Sequence, residues 1–265
     1  MTKDQMAPSS ATCAVVEPCA QTAVPAPLFP LWKRVLDVTI VLLAAPVVIP
    51  VGIVIVVFIK IVSPGPAFFR QQRVGYFGKR FMCLKFRTMK VDADTSVHQE
   101  HLKQLMTSNR PTRKLECAGD SRLVPGGMIL RAMGLDELPQ LLNVLRGEMS
   151  MVGPRPCTPY EFELYLPRHQ KRCEAPPGLT GLWQISGKNR TTFEEMIDLD
   201  LHYVERKSVW MDLKIIVLTI PAILMLVWEM KFSPAARARR REKEARGQTL
   251  SKEPGHIVGT APARK

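Results

Sequence analysis

Two adjacent carboxylates, Asp136 and Glu137, stand in the most chemically suggestive stretch of this sequence, Leu130-Arg131-Ala132-Met133-Gly134-Leu135-Asp136-Glu137-Leu138-Pro139-Gln140. Leu138, Leu141, Leu142 and Leu145 recur at helical spacing and predict an amphipathic helix from about Asp136 to Leu145, with Gly147 just past its end. Pro139 would then fall in the first turn, where a missing N–H costs little. An Asp at a helix mouth is ordinarily an N-cap, and Glu137 there simply favours the positive end of the helix dipole. The chemical alternative follows from geometry. Successive helical residues point about 100° apart, so one carboxylate can attack or bind a substrate while the other holds a metal. Arg131, and Arg155 within Met151-Val152-Gly153-Pro154-Arg155-Pro156, are close enough in sequence to neutralise a phosphate.

Such a site needs a scaffold. With 265 residues and 46% hydrophobic content the chain can bury one sizeable core, although part of that content is concentrated in a single run. A formal net charge of +13 calls for anionic partners: nucleic acid, acidic lipid or phosphorylated small substrates. Aromatic residues are few and no zinc-finger or RNA-recognition signature accompanies the basic ones, so no nucleic-acid partner is expected. Cys13, Cys19, Cys83, Cys117, Cys157 and Cys173 show no paired metal spacing and read as reduced thiols in a cytoplasmic setting. Residues 1–30, rich in Ala, Pro, Ser and Thr, read as a flexible leader.

From Val35 to Val62 the chain is almost wholly apolar, interrupted by Asp37, Thr39 and Lys60, and it is long enough for a membrane helix. Pro46 and Pro50 fall near its middle and predict a break at Ala45-Pro46. The two arms, Val35 to Ala45 and Val47 to Ile61, would reach roughly 16 and 22 Å, each short of a ~30 Å hydrocarbon core. Lys33 and Arg34 precede the run, and Arg70, Arg73, Lys79 and Arg80 follow it, so the positive-inside rule draws both ends to the cytoplasm. Two topologies remain open: a re-entrant helical hairpin and a kinked single span. Asp37 favours the hairpin by pairing with Lys33 or Arg34 near the interface.

Beyond the turn Ser63-Pro64-Gly65-Pro66, Ala67 to Arg73 and Arg80 to Thr88 predict a β-hairpin. Lys79, Lys85 and Arg87 either line a phosphate site or form its solvated face. The segment from about Val91 to Glu116 reads as a polar surface insertion, and Tyr160 to Arg172 as a polar helix. The glycines of Pro177-Gly178-Leu179-Thr180-Gly181 permit close backbone approach to a ligand, or serve ordinary turns. Phe193 to Val204 reads as an amphipathic helix carrying Asp198, Asp200, His202 and Tyr203, residues compatible with a polar surface. Leu213 to Val227 is an apolar run short for a span, which suits an interfacial or a core helix. The basic tail beyond Pro234 fits an anionic membrane surface or a solubilising end.

Several separated blocks, in order, resemble the bacterial sugar transferase family, the monotopic polyprenyl-phosphate phosphoglycosyl transferases in their short form. They are Lys33-Arg34-Val35-Leu36-Asp37, Gln72-Arg73-Val74-Gly75, Lys85-Phe86-Arg87-Thr88-Met89, Leu135-Asp136-Glu137-Leu138, Val152-Gly153-Pro154-Arg155-Pro156 and Pro177-Gly178-Leu179-Thr180-Gly181. The resemblance covers about Leu31 to Trp228. It implies an α+β, mostly helical fold: a membrane-associated re-entrant helical hairpin over 31–62, broken at Ala45 and Pro46 where the family often has Ser-Pro. A cytoplasmic catalytic domain with a β-hairpin and interfacial helices would occupy 63–230, and a basic flexible tail 231–265. It further implies that Asp136 is the nucleophile, that Glu137 helps place Mg²⁺, and that Arg155 binds substrate phosphate with Arg131 as a helper; Lys85 and Arg87 of the hairpin are the further candidates for that phosphate site.

The implied reaction moves a sugar-1-phosphate from a UDP-sugar to undecaprenyl phosphate at the bacterial inner membrane and releases UMP, starting exopolysaccharide or O-antigen-type glycan assembly. Partners would be the UDP-sugar, undecaprenyl phosphate, membrane lipids and, as a further option, a second copy in a homodimer. Attack of a carboxylate on a diphosphate is anion on anion, which accounts for Mg²⁺ and arginines in place of an acid/base pair. The competing reading is a non-catalytic, membrane-anchored basic scaffold for polysaccharide biosynthesis. A sugar-nucleotide enzyme releasing UDP is disfavoured, because no dinucleotide-type Rossmann pattern is present.

Overall fold

The uninterrupted apolar run of the sequence folds as helix α1, Leu31–Val62, 32 residues long with Pro46 and Pro50 inside it. It belongs to a computed structural model that describes residues 29–90, 106, 122–187 and 191–232. The leader up to residue 28, nearly all of the 91–116 segment and the tail from 233 lie outside the described residues. Met106 is described and packs beside the Trp183 and Phe193 cluster.

Of the remaining elements, the β-hairpin and the helix from Phe193 were expected, whereas the helix Gly127–Ala132 and a parallel strand pair were not. Strands β1 (Phe68–Val74) and β2 (Arg80–Phe86) form the anticipated antiparallel hairpin, in register from Phe68 opposite Phe86 to Val74 opposite Arg80. Then come α2 (Gly127–Ala132), a 3₁₀ turn (Leu135–Glu137) and α3 (Gln140–Arg146). Strand β3 (Ser150–Val152) pairs in parallel with β4 (Gly178–Thr180). Between these two strands lie α4 (Pro159–Glu163), α5 (Pro167–Gln170) and a 3₁₀ turn (Lys171–Glu174). After β4 come α6 (Leu182–Ile185), α7 (Phe193–Arg206) and α8 (Val209–Phe232). The fold is therefore mixed helix and sheet with helix dominant.

Three sequence expectations change here. The polar helix expected over Tyr160 to Arg172 is divided, because Pro167 forces Leu166 out of the helical region to ψ 157. The apolar run at Leu213 belongs to a longer helix, α8, that begins at Val209 and ends at Phe232. Helical backbone continues through Pro46 and Pro50, so the two expected arms are joined in one helical element.

One face of α1 leans on the domain along its length. Lys33, Asp37, Val41, Ile55 and Ile59 are buried, Val48 packs against the Phe81 and Leu141 cluster, and Gly52 lies against the Phe86 ring. Successive steps of about one or two helical turns place these residues on one stripe. The same strand, β2, supports both halves: Phe81 and Cys83 cluster with Val41, and Phe86 clusters with Ile55 and Ile59. The other face, including Leu43, Val47, Ile53, Val54 and Ile61, is exposed and apolar. Among the described residues α1 alone is long and apolar enough to cross a membrane.

The N-terminal end of α1 is anchored by polar groups in ways the sequence did not indicate. Lys33 is fully buried; its ammonium donates to Asp212 Oδ2 at 2.5 Å and to Tyr203 Oη at 2.9 Å. Tyr203 in turn donates to Asp212 Oδ1 at 2.7 Å. Asp37 accepts from Ser150 Oγ and from the Met151 N–H, both at 2.9 Å, and does not use Lys33 or Arg34 as its hydrogen-bond partner. Arg34 donates instead to the carbonyls of Val144 and Leu145 at the end of α3, where helical carbonyls lack partners of their own. Gly147 closes that helix at φ 76, a conformation costly for other residues.

Removing one member of the Lys33–Asp212 pair strands a buried charge, which typically costs about 3–5 kcal/mol. Asp212→Ala is therefore expected to destabilise the protein by that order, and Lys33→Met with Asp212→Leu to recover most of the loss. Thermal unfolding of the detergent-solubilised variants measures both; equal loss in the single and double variants would refute the pair's role.

Candidate active site

Pro139 has no N–H to give, and the chain before it winds as a 3₁₀ turn with the Leu138 N–H bonded to Leu135 O at 3.3 Å. The α-helix consequently starts at Gln140, with Pro139 at its N-cap position, so the expected start at Asp136 moves by about one turn and Asp136 is not its N-cap. The wound turn separates the two carboxylates by roughly 120°, at three residues per turn. Asp136 is buried, with 7% of its surface exposed. Glu137 reaches the Lys85 ammonium at 2.8 Å, a half-buried pair between the turn and β2.

A cleft of about 300 Å³ lies beside this pair, lined by Arg73, Cys83, Lys85, Glu137, Gln140 and Arg155 together with Pro156, Gly178, Leu179 and Gln184. Of the residues singled out in the sequence, the structure thus gathers Glu137, Lys85 and Arg155 around one space, with Asp136 next in chain to Glu137. Arg131 stands in the last turn of α2, five residues before Asp136. Arg87 does not line this cleft. It is buried under the end of α1, its Nη2 donating to Ser63 O at 2.8 Å. Ala45 and Pro46 sit mid-helix in α1, away from these residues in the chain.

Three groups were missed. Arg73 is 6% exposed and donates from Nη1 to Pro156 O at 3.2 Å and from Nη2 to Gln71 Oε1 at 2.7 Å. Its nearest carboxylate, on Glu161, is 3.8 Å away. Burial and then the neighbouring positive charge of Arg155 push the Arg73 guanidinium below its ordinary value. Two guanidiniums disposed to repel one another, with an ammonium on the same cleft, form a site suited to an anion. Gln184, which donates to Leu179 O at 3.0 Å, also lines the cleft. Arg172 holds the segment from behind: it pairs with buried Asp200, and donates to Tyr165 Oη at 2.8 Å and to Arg155 O at 3.2 Å. Burial raises the Asp200 carboxyl, against the opposing pull of Arg172. Asp200 and Tyr203 are thus interior residues of α7. In the sequence, Arg73 was visible as a basic residue flanking the apolar run and as one member of the Gln72-Arg73-Val74-Gly75 block, not as a site residue. Both Arg73 and Val74 are buried, so no strand alternation marks it.

The glycine-rich segments hold backbone against backbone. A Cβ on Gly178 would stand 2.0 Å from Gly153 N and 2.3 Å from Thr180 O, and one on Gly153 would stand 2.0 Å from Pro176 O. The close approach inferred from these glycines is made by the chain itself, and it sets where Arg155 leaves β3. The Asn143 amide gives a comparable anchor for β2, accepting from Leu84 N at 3.1 Å and donating to Met82 O at 2.8 Å. It occupies the place of a neighbouring strand.

Comparison with known proteins agrees with this architecture. Residues 29–226 match the family model described as bacterial sugar transferase. The chain is 42% identical over 219 residues to the exopolysaccharide production protein ExoY of Sinorhizobium fredii, covering 82% of this chain and 95% of that protein. It is 41% identical over 202 residues to the UDP-glucose:undecaprenyl-phosphate glucose-1-phosphate transferase of Caulobacter vibrioides, covering 73% and 70%. It is also 40% identical over 166 residues to the undecaprenyl-phosphate galactose phosphotransferase of Salmonella typhimurium, covering 60% of this chain and 34% of that longer protein. The fold is mixed helix and sheet, its apolar N-terminal helix is long enough to serve as a membrane anchor, and its cleft is cationic. This chain belongs to the bacterial sugar transferase family.

Gly178→Ala is expected to destabilise the fold by at least about 1–3 kcal/mol, the usual cost of overpacking, and to lower activity by displacing Arg155. Gly52→Ala, whose Cβ would meet the Phe86 ring at an ordinary 3.7 Å, is the tolerated control. Thermal unfolding of both variants decides the point, and a Gly178→Ala protein as stable as wild type would rule the contact out.

Proposed function

We propose that this protein transfers a sugar-1-phosphate from a UDP-sugar to undecaprenyl phosphate, releasing UMP, as the first step of an exopolysaccharide or O-antigen-type glycan. The observation that carries the reading is the convergence of Arg73, Lys85 and Arg155 on one cleft with Glu137, beside the buried Asp136. A diphosphate is the kind of anion that such a cluster accommodates. The activity named for the Caulobacter relative has the same substrate pair, and that named for the Salmonella relative the same lipid acceptor.

In this reading an Asp136 carboxylate oxygen attacks the phosphorus that bears the sugar. The bond to the bridging oxygen breaks, UMP leaves, and the phosphosugar is held on Asp136 as an acyl phosphate. A phosphate oxygen of undecaprenyl phosphate then attacks that phosphorus, breaking the bond to Asp136 and restoring the carboxylate. Arg155, Arg73 and Lys85 offset the charge that gathers on the phosphate oxygens, and Arg131 would assist from outside the cleft. Glu137 is a hard oxygen donor on the cleft wall, and Mg²⁺ characteristically binds through one or two carboxylates plus substrate phosphates, so the residues present fit that ion. Mg²⁺ held there by Glu137 would supply further charge neutralisation.

The membrane arrangement belongs to the same proposal. Both halves of α1 lean on β2, so the domain accompanies the helix on both sides of Pro46, and the opposite face is free for lipid. This supports a re-entrant helix that bends at Ala45-Pro46 and returns to the cytoplasmic face of the inner membrane. Exposed Trp210, Val217, Ile220, Leu224 and Trp228 on α8 support an interfacial role for that helix. The Asp136 turn then works at the level where a lipid phosphate lies.

Detergent-solubilised protein incubated with undecaprenyl phosphate, Mg²⁺ and a panel of UDP-sugars should release UMP from one or two donors. Asp136→Asn should abolish release, and Arg155→Ala should reduce it by about 10²–10³-fold, as loss of a charge-stabilising group does. Without lipid acceptor, mass spectrometry should find the phosphosugar on the Asp136 peptide. Release of UDP instead would overturn phosphosugar transfer, and folded protein inert toward every donor would favour the scaffold.

A further inference from the structure

Behind the Arg155 segment lies a second, small pocket lined by Arg155, Pro156, Cys157, Arg172 and Cys173 among others. Two of the three described cysteines therefore face one space that the proposed reaction does not use. Cys157 follows Pro156 directly and is anchored to β1, its carbonyl accepting from the Val74 N–H at 2.9 Å. Cys173 follows Arg172, whose guanidinium donates to the Arg155 carbonyl. Both thiols are free and nearly buried, at 4% and 9% exposure.

The two thiols also interact with each other. The Cys157 Sγ donates to the Val74 carbonyl at 3.9 Å, and the neighbouring Cys157 thiol holds Cys173 below its ordinary range while Cys157 itself is held well above it. Cys173, the less buried of the two, is thus the more nucleophilic, with Cys157 placed to resolve. Cys83 lies across the segment in the substrate cleft, and burial raises its thiol.

We propose that Cys157 and Cys173 are a redox pair, converted by hydrogen peroxide into a disulfide that ties the Arg155 segment to the 171–174 turn and lowers transfer activity. Cys173 attacks one peroxide oxygen, the O–O bond breaks, a sulfenic acid forms and one water leaves. The Cys157 sulfur attacks the sulfenic sulfur, an S–S bond forms, and the hydroxyl leaves as a second water with the Cys157 proton. Two thiols lose two electrons and two protons, and one peroxide becomes two waters. A dithiol reductant reverses the bond.

The consequence for activity rests on reading Arg155 as a phosphate ligand; the disulfide itself does not. A disulfide requires Cα atoms within about 7 Å and restricts the residues it joins. Cys157 is two residues from Arg155. Displacing a positioning group by about 1 Å costs on the order of 10²-fold in rate, so a fall of at least tenfold is expected on oxidation.

The test treats the full-length, detergent-solubilised protein with hydrogen peroxide or dithiothreitol, then maps thiols by mass spectrometry of a non-reducing digest and measures UMP release in parallel. The expected result is a linked Cys157–Cys173 peptide pair lighter by two hydrogens, with activity lost and then restored by dithiothreitol. Cys173→Ser, with Cys173→Ala as a second variant should the first not fold, should keep basal activity and lose peroxide sensitivity. Absence of the linked pair, with Cys173 unmodified or carried on to sulfinic acid, overturns the proposal. A linked pair with unchanged UMP release overturns its control of activity. If reduced protein turns over no donor, the transferase reading fails, while the linked peptide still decides the redox pair.

Discussion

The buried ammonium of Lys33 constrains this protein more than any other single group. A charge with no exposed surface is tolerable only where it is paired and hydrogen-bonded, and Asp212 and Tyr203 meet that demand. Because Lys33 is in the third position of α1, Tyr203 late in α7 and Asp212 early in α8, one interaction joins three elements distant in the chain. The apolar helix therefore enters the fold at a defined point and in a defined rotation. Arg34 and Asp37 extend that junction to α3 and β3, which flank the Asp136 turn and the Arg155 segment respectively.

Placement of the cleft depends on a second constraint, the contact of two chain segments without side chains between them. Gly153 and Gly178 bring the ends of β3 and β4 closer than any Cβ allows. Arg155 then emerges beside Arg73, whose guanidinium holds the Pro156 carbonyl, while Arg172 holds the Arg155 carbonyl from the other side. Cations assembled this closely oppose one another, and that cost is offset when an anion occupies the cleft. The arrangement separates holding from binding: Arg172 with Asp200 is interior scaffolding, whereas Arg155 and Lys85 face the open space.

Much of this was legible in the residues. The hairpin of β1 and β2, the helix of Phe193, the αL end at Gly147 and the length of α1 all followed from local patterns that tertiary contacts reinforced. The Asp136 region was read as one helix because leucine spacing carries the helical period through Pro139. The hydrogen bonding is instead 3₁₀ up to that proline, a difference that periodicity does not register. Asp37 was paired with its helical neighbours, since sequence proximity is the only proximity a sequence displays. Asp200 and Tyr203 passed for surface residues because their partners lie elsewhere in the chain: Arg172 for Asp200, Lys33 and Asp212 for Tyr203.

The sequence by itself determined the membership in the bacterial sugar transferase family, the apolar helix with prolines at its middle, the hairpin, and the identities of Asp136, Glu137 and Arg155. Those features are local: each is written in a few consecutive residues or in one periodicity. Only the tertiary structure decided that Lys85 pairs with Glu137, that Arg73 joins the cleft while Arg87 turns to Ser63, and that Cys157 and Cys173 line one pocket. The physical reason is common to all of these. Which partner a buried polar group finds is set by the packing of segments remote in the chain, and desolvation leaves such a group little choice but to take the partner that packing supplies.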